Sequence, residues 1–248
     1  MKPLFRPIGL STLFVIFSFA RSFGQQPAPA TEAQKGAYQY RKAAYDGIGK
    51  TYLGREISQV MGHLGAAWLE RPEREQEERT DLLLEALNLK PTDVVADVGA
   101  GTGYFTFLMA PKVHRGKVLA VDIENEMIND LNQARKKKNA TNVEPVLGTI
   151  TDPKLPANGI DMALMIDAYH EFSHPREMMT NIVRALKPGG RVVLVEYRAE
   201  DPSVPIKPHH KMSIAQATKE MKAVGLTLKS VYKKLPQQHV MIFQKEMP

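Results

Sequence analysis

Apolar runs alternate with helically spaced apolar positions along most of this chain, and their order predicts its architecture. Residues 76–89 put Leu82, Leu83, Ala86 and Leu87 on one helical face, and Lys90-Pro91 stops that helix. Residues 94–98 are β-branched or small around Asp97, as a strand buried on both faces should be. Further strands are expected at 117–121, 143–147, 160–166 and 191–197, with two more around Pro236. Helices are expected at 104–109, 126–138, 175–186 and 213–224. Pro175 suits a first helical turn, and Lys187-Pro188-Gly189-Gly190 closes that helix before the next strand. Such alternation predicts a doubly wound α/β fold, a mostly parallel sheet with helices on both faces.

The turn after the first of these strands carries the strongest chemical signal. Gly99, Gly101 and Gly103 lack a Cβ, so the backbone can turn tightly and a ligand can approach it, facing the amino terminus of the next helix. A dinucleotide fingerprint would need a third glycine where Tyr104 stands, so the spacing argues against a pyrophosphate. The next strand ends at Asp122, where a carboxylate can accept hydrogen bonds from two ribose hydroxyls. Together these features suggest an adenosine cofactor without a pyrophosphate.

At Asp97-Val98-Gly99-Ala100-Gly101-Thr102-Gly103 and Asp122 the chain resembles the class I S-adenosylmethionine-dependent methyltransferases, over roughly residues 76–245. The resemblance implies a Rossmann-like sheet of seven strands and S-adenosyl-L-methionine as cofactor. It implies that Asp97, Gly99, Gly101 and Gly103 hold the methionine end, that Asp122 holds the ribose, and that Ile123, Thr149 and Ile150 meet the adenine. The fourth strand ends in Asp167-Ala168-Tyr169-His170-Glu171, which in the family flanks donor and acceptor. Asp167, Tyr169 and His170 are therefore the expected catalytic positions, with Asp167 also touching the cofactor. His170 titrates near neutrality and can serve as a base, or it can cap the helix opening at Pro175. Glu196, Tyr197, Arg198, His209, His210 and Lys211 are further candidates for the acceptor pocket.

Composition narrows the chemistry. The chain has no cysteine, which excludes a thiolate nucleophile, a thiolate metal site and any disulfide. Asp167-Ala168-Tyr169-His170 lacks the N/D-P-P-Y pattern of methyltransferases that act on adenine amino groups. The basic run Arg135-Lys136-Lys137-Lys138 has no interleaved aromatics and suits a solvated helix end. Nucleic acid is thus a disfavoured partner, and a small-molecule methyl acceptor is expected, methylated at O, N or C. The histidines show neither an H-E-x-x-H pattern nor a compact ligand cluster; His209-His210 could meet a metal with Glu196 or His170 only in three dimensions, spacing gives that no support, and no metal is expected. Two other functions share these features: an exported adenosyl-binding protein without catalysis, and a nicotinamide-dependent oxidoreductase, which Tyr104 argues against.

The amino terminus reads separately. Lys2 and Arg6 precede an uncharged, mostly apolar run at 8–20, and Ser22-Phe23-Gly24 offers small residues for cleavage. Residues 1–24 are expected to be a secretory signal, too short to span a bilayer comfortably, which makes the protein exported. Its removal would take three positive charges from the formal +6. Residues 25–75 are expected to be a linker and a helical cap, with Met61, His63 and Trp68 either lining a lid or merely packing, and 76–248 to be the methyltransferase-like domain.

Overall fold

The computed structural model describes residues 36–245. Its main sheet has seven strands: β4 (Val94–Val98), β5 (Lys117–Asp122), β6 (Val143–Leu147), β7 (Ile160–Ile166), β8 (Leu186–Tyr197), β9 (Leu226–Tyr232) and β10 (Gln238–Lys245). Their order is β6-β5-β4-β7-β8-β10-β9, parallel except for β10, which runs against both β8 and β9. From β4 the chain winds outward to β6 and then returns to β7 beside β4. The order therefore reverses between β4 and β7, and a ligand crevice is expected beyond the carboxyl ends of these two strands.

Alternate residues of each strand serve opposite faces, so one apolar run builds two cores. Ala96 and Val98 face the helices α6 (Pro175–Ala185) and α7 (Ile214–Lys222), through Met178, Met179, Ile182, Ala217 and Met221. Val95 faces the other way, onto Leu83 and Leu87, onto Phe105 and Met109 of α4 (Tyr104–Met109), and onto Leu131 of α5 (Asn125–Lys137).

Three elements differ from the pattern-based expectation. The helix foreseen at 76–89 is two helices, α2 (Arg74–Glu78) and α3 (Thr80–Ala86), broken where Arg79 takes φ +51°. Lys187-Pro188-Gly189-Gly190 lies inside β8: its partner strand steps from Ile160↔Leu186 to Met162↔Arg191, so these residues bulge out of the ladder around Gly189 at φ +76°.

The third difference is the amino-terminal cap, which is not mainly helical. β1 (Tyr38–Tyr40), β2 (Gly47–Tyr52) and β3 (Arg55–Ser58) form an antiparallel sheet around Tyr38, Tyr52 and Ile57. Helix is confined to a short turn at His63–Gly65, α1 (Ala66–Leu69) and α2. The hairpin between β2 and β3 turns on Leu53 and Gly54, both at positive φ (48° and 97°), as a two-residue type I′ turn requires. Leu53 is a strained choice there, and its carbonyl accepts from Lys219 Nζ (2.7 Å) and Gln216 Nε2 (3.3 Å). The small sheet is fastened to α7 by Arg55, whose Nε and Nη2 donate to Glu220 at 2.7 and 2.9 Å. The expected secretory signal at 1–24 lies outside the described residues. Among the described residues no helix is long and apolar enough to cross a membrane.

Candidate functional site

A cavity of about 230 Å³ opens at the order reversal, beyond the ends of β4 and β7. One wall is the glycine turn. Gly99, Gly101 and Gly103 take φ of +80°, +55° and +89°. A Cβ on Gly101 would stand 2.7 Å from Leu69 Cδ1, and one on Gly99 2.7 Å from Ala168 Cβ. Gly99 and Gly101 line the cavity, whereas Gly103, expected with them at the methionine end, does not: a Cβ there would meet Leu131 Cδ2 at 2.6 Å and Phe107 Cε2 at 2.7 Å, on the core side. Asp122 ends β5 on the same wall, with Oδ2 accepting from Gly101 N (2.9 Å) and Oδ1 from Glu124 N (3.0 Å). Burial pushes its carboxyl up, against those backbone donors.

Ile123 and Ile150 line the cavity while staying 40% and 49% exposed, so two large apolar side chains wait beside Asp122 for a partner surface. Thr149 does not join them. Its hydroxyl accepts from Asp152 N (3.0 Å) and its N–H donates to the Asp152 carbonyl (2.8 Å), so it ties the loop rather than facing the cavity.

Asp97 lies in a small side pocket that shares Leu69, Arg74, Gly99 and Ile166 with the main cavity. Burial pushes its carboxyl up to about 6, although Thr106 Oγ1 donates to it at 2.5 Å and Arg74 opposes the rise. Tyr104, which stands where a dinucleotide site has glycine, lines that pocket beneath the Arg74 guanidinium, 4.6 Å from the ring centre.

The end of β7 supplies the facing wall. Asp167 holds φ +48°, a left-handed conformation rare outside glycine, and Gln238 Nε2 donates to its Oδ2 at 2.5 Å. Its Oδ1 is buried without a hydrogen-bond partner. Burial, then the carboxylates of Glu78 and Glu196, pushes Asp167 well above the usual carboxylate range, against Arg74 and Gln238. Backbone strain and unsatisfied buried oxygens of this kind concentrate at functional sites.

After Asp167 the chain makes a 3-10 turn at Tyr169–Glu171, where residues three apart share a side. Ala168 and Glu171 accordingly line the cavity, and the two catalytic candidates between them turn away. Tyr169 is fully buried and donates to Glu220 at 2.7 Å, in the core on the α7 side. Replacing it by phenylalanine should cost about 1.5–3 kcal/mol of stability for the lost hydrogen bond to a carboxylate and leave cofactor affinity within about twofold. Denaturant unfolding and a ligand titration of Tyr169→Phe check both figures, and a large affinity loss would return Tyr169 to the site.

His170 is also buried. Its Nδ1 meets Glu196 Oε2 at 2.6 Å and its Nε2 meets His210 Nδ1 at 3.0 Å. Burial disfavours the imidazolium, but Glu196 outweighs burial and holds the pKa above the ordinary imidazole value. It neither caps α6, whose preceding His174 makes no capping bond, nor faces the cavity as an acceptor base would. Glu196 and His210 lie in that polar cluster, His209 sits 3.7 Å from Glu56 instead, and none of the three is on the cavity wall, nor are Tyr197, Arg198 and Lys211. Glu171, which sequence reasoning passed over, is the member of the turn that reaches the cavity; the three-residue period from Ala168 was its only signal.

The cap completes the enclosure. Ile48, Ser58, Val60, Met61, Trp68 and Leu69 form its share of the wall. Trp68 stacks under Arg71 at 3.9 Å, and Glu70 Oε1 accepts from Thr102 Oγ1 of the glycine turn at 2.5 Å. Of the three lid candidates, Met61 and Trp68 line the cavity. His63 sits beside it, 3.4 Å from Glu124.

Comparison with known proteins agrees with this geometry. A methyltransferase-domain family model matches residues 89–246. An uncharacterized methyltransferase-like protein of Schizosaccharomyces pombe is 31% identical over 129 residues, covering 51% of this chain and 46% of that protein. A demethylmenaquinone methyltransferase of Symbiobacterium thermophilum is 32% identical over 178 residues, covering 70% of this chain and 63% of that protein. The chain thus spans less than two thirds of either relative. The crystal structure of a SAM-dependent methyltransferase from Aquifex aeolicus superposes with a TM-score of 0.71 at 22% identity, over 75% of this chain and all of that one, which shows a common fold. With the glycine turn, Asp122 and the seven-stranded order on one cavity, the chain belongs to the methyltransferase domain family, with the class I S-adenosylmethionine-dependent fold.

Proposed function

We propose that the protein transfers the methyl group of S-adenosylmethionine to a small, largely apolar acceptor at O, N or C. The observation that carries this reading is the convergence on one cavity of a glycine turn, a backbone-oriented Asp122 and the open apolar faces of Ile123 and Ile150. Asp122 holds the ribose, the two isoleucines sandwich the adenine edge, and Asp97 with Asp167 offers carboxylates to the cationic methionine end. The acceptor lies against the cap, where Ile48, Val60, Met61, Trp68 and Phe172 make an apolar wall. That lining suits the kind of substrate named for the Symbiobacterium relative, a demethylmenaquinone.

Methyl transfer needs the nucleophile in line with the sulfonium carbon, and positioning alone removes much of the barrier. Glu171 is the carboxylate of the facing wall that takes a proton from an acceptor hydroxyl or amine held there, while Asp167, whose carboxyl burial holds up, bounds the same wall. The pattern of residues 1–24 supports an exported protein, and residues 36–75 act as its lid.

Calorimetric titration of S-adenosylmethionine into the purified protein, followed by transfer of labelled methyl to an apolar acceptor set, tests the reading. Micromolar binding is expected. Because free Asp97 titrates near 6, a proton competes with the cationic ligand below that pH. Affinity should be level above pH 6 and fall by up to about tenfold per pH unit beneath it. A folded protein that ignores the donor sinks the proposal, and donor binding without transfer to any acceptor leaves a binding protein.

A further inference from the structure

We propose that His170 Nε2, His210 Nδ1 and Glu171 Oε1 form a site for one divalent transition-metal ion of the zinc type. The three atoms form a triangle with edges of 3.0 Å between the histidines, 3.8 Å from His170 to Glu171 and 3.4 Å from His210 to Glu171. Tetrahedral coordination with bonds of about 2.0–2.1 Å places neighbouring ligand atoms about 3.3–3.4 Å apart. The mean edge matches that spacing with no rearrangement of the backbone.

Proton bookkeeping points the same way. Glu196 Oε2 lies 2.6 Å from His170 Nδ1, so the ring's N–H donates there and Nε2 carries a lone pair. Asp46 Oδ2 lies 2.9 Å from His210 Nε2, somewhat off the axis of a good hydrogen bond, and favours the N–H on that nitrogen. His210 Nδ1 is then also a lone pair. Glu171 sends Oε2 to the Met61 N–H at 3.1 Å and leaves Oε1 for the cluster. With both rings neutral, three electron pairs converge on one point, where a cation takes the place of the proton that otherwise joins His170 Nε2 to His210 Nδ1 at 3.0 Å.

The surroundings are those of metal ligands. A carboxylate behind each imidazole fixes tautomer and ring orientation, as such partners do for ligating histidines. Glu196 is fully buried, and Asp46 is countered by Lys207 at 2.8 Å from its other oxygen. Two histidines and one carboxylate leave a further coordination position, which a water or an acceptor heteroatom can fill. The ligands come from the turn after β7 and from the 3-10 turn at Pro208–His210, while Asp46 belongs to the loop before β2. A bound ion therefore ties the turn after β7 to the Pro208–His210 turn, with Asp46 of the cap behind His210, and fixes Glu171, which also lines the main cavity. This inference stands on side-chain geometry and not on the identity of the methyl donor.

The test is to strip the full chain with a chelator and titrate it with Co²⁺, then displace with Zn²⁺. One equivalent is expected, with the visible absorption of a four- or five-coordinate cobalt centre that zinc bleaches. His210→Ala, at a partly exposed position outside the main cavity, should abolish the signal while the circular dichroism spectrum is kept. Asp46→Asn should weaken affinity about 10- to 100-fold through the lost outer partner. Among the described residues His63, Glu124 and Glu126 also converge, on the surface, so His63→Ala is the control and should change nothing. A folded wild-type chain that takes up neither ion overturns the proposal. So does binding that survives His210→Ala and Glu171→Gln together, or that His63→Ala removes.

Discussion

Replacing Glu220 by alanine is expected to cost about 3–5 kcal/mol of stability, the loss typical of removing one partner from a buried ion pair. The Glu220 side chain is fully buried on α7, and four donors end on it: Arg55 Nε (2.7 Å) and Nη2 (2.9 Å), Tyr169 Oη (2.7 Å) and Gln216 Nε2 (2.8 Å). Without the carboxylate the guanidinium, only 10% exposed, loses the counter-charge that it is hydrogen-bonded to. Arg55 also donates through Nη1 to the His170 carbonyl at 2.9 Å, so losing its anchor loosens the turn that presents Glu171 to the cavity. For a chain of this length such a loss lowers Tm by on the order of 10 °C. Thermal unfolding measures it, and limited proteolysis should show earlier cuts in residues 36–58. Glu220→Gln keeps the volume and part of the hydrogen bonding and should fall between the two. A Tm within about 2 °C of wild type would mean that the cap is held by something other than this pair.

The same region marks the limit of what the sequence discloses. The strands β4 to β7 lie within a residue of their expected positions; for β4, β5 and β7 a run buried on both faces leaves little choice, while β6 is a part-exposed edge strand. The positions of Asp97, the glycine turn and Asp122 at the carboxyl ends of β4 and β5 were equally legible, since strand and turn are carried by neighbours in sequence. The cap was not. Its hairpin turns on Leu53-Gly54, where Asn-Gly or Asp-Gly would have announced a type I′ turn, and the strain is met by Lys219 and Gln216 from far along the chain.

The orientation of the Asp167–Glu171 stretch was hidden for a different reason. Whether Tyr169 or Glu171 faces the cavity depends on a single 3-10 turn, which no periodicity of a five-residue stretch reveals. The convergence of His170 and His210 depends on the irregular 201–211 segment folding back beside β8, where a parallel bridge joins Arg198 to Met212. Spacing in sequence says nothing about ligands forty positions apart. Thr149 was misread because its loop closes on Asp152 by local hydrogen bonds, the habit of threonine in turns.

Asp122→Ala is expected to weaken S-adenosylmethionine binding by about 100-fold or more. A hydrogen bond to a charged group is worth about 1.5–3 kcal/mol, and a ribose offers two hydroxyls to one carboxylate. The carboxylate is also preorganised. Gly101 N and Glu124 N fix its two oxygens before ligand arrives, so little ordering remains to be done on binding. Alanine leaves the Gly101 N–H without its acceptor and frees a turn held at φ +55°, which should loosen the glycine wall as well. Asp122→Asn keeps an acceptor oxygen but neither the charge nor the symmetric pair, and about a tenfold loss is expected for it. Ile123, Ile150 and the carboxylates at the methionine end are untouched in both variants, so residual affinity reports the contacts other than the ribose. Calorimetry on folded variants separates these cases, since Asp122 is at the cavity wall and its loss should shift Tm only slightly. An affinity within about threefold of wild type would place the ribose elsewhere. The open faces of the two isoleucines would then belong to the acceptor instead.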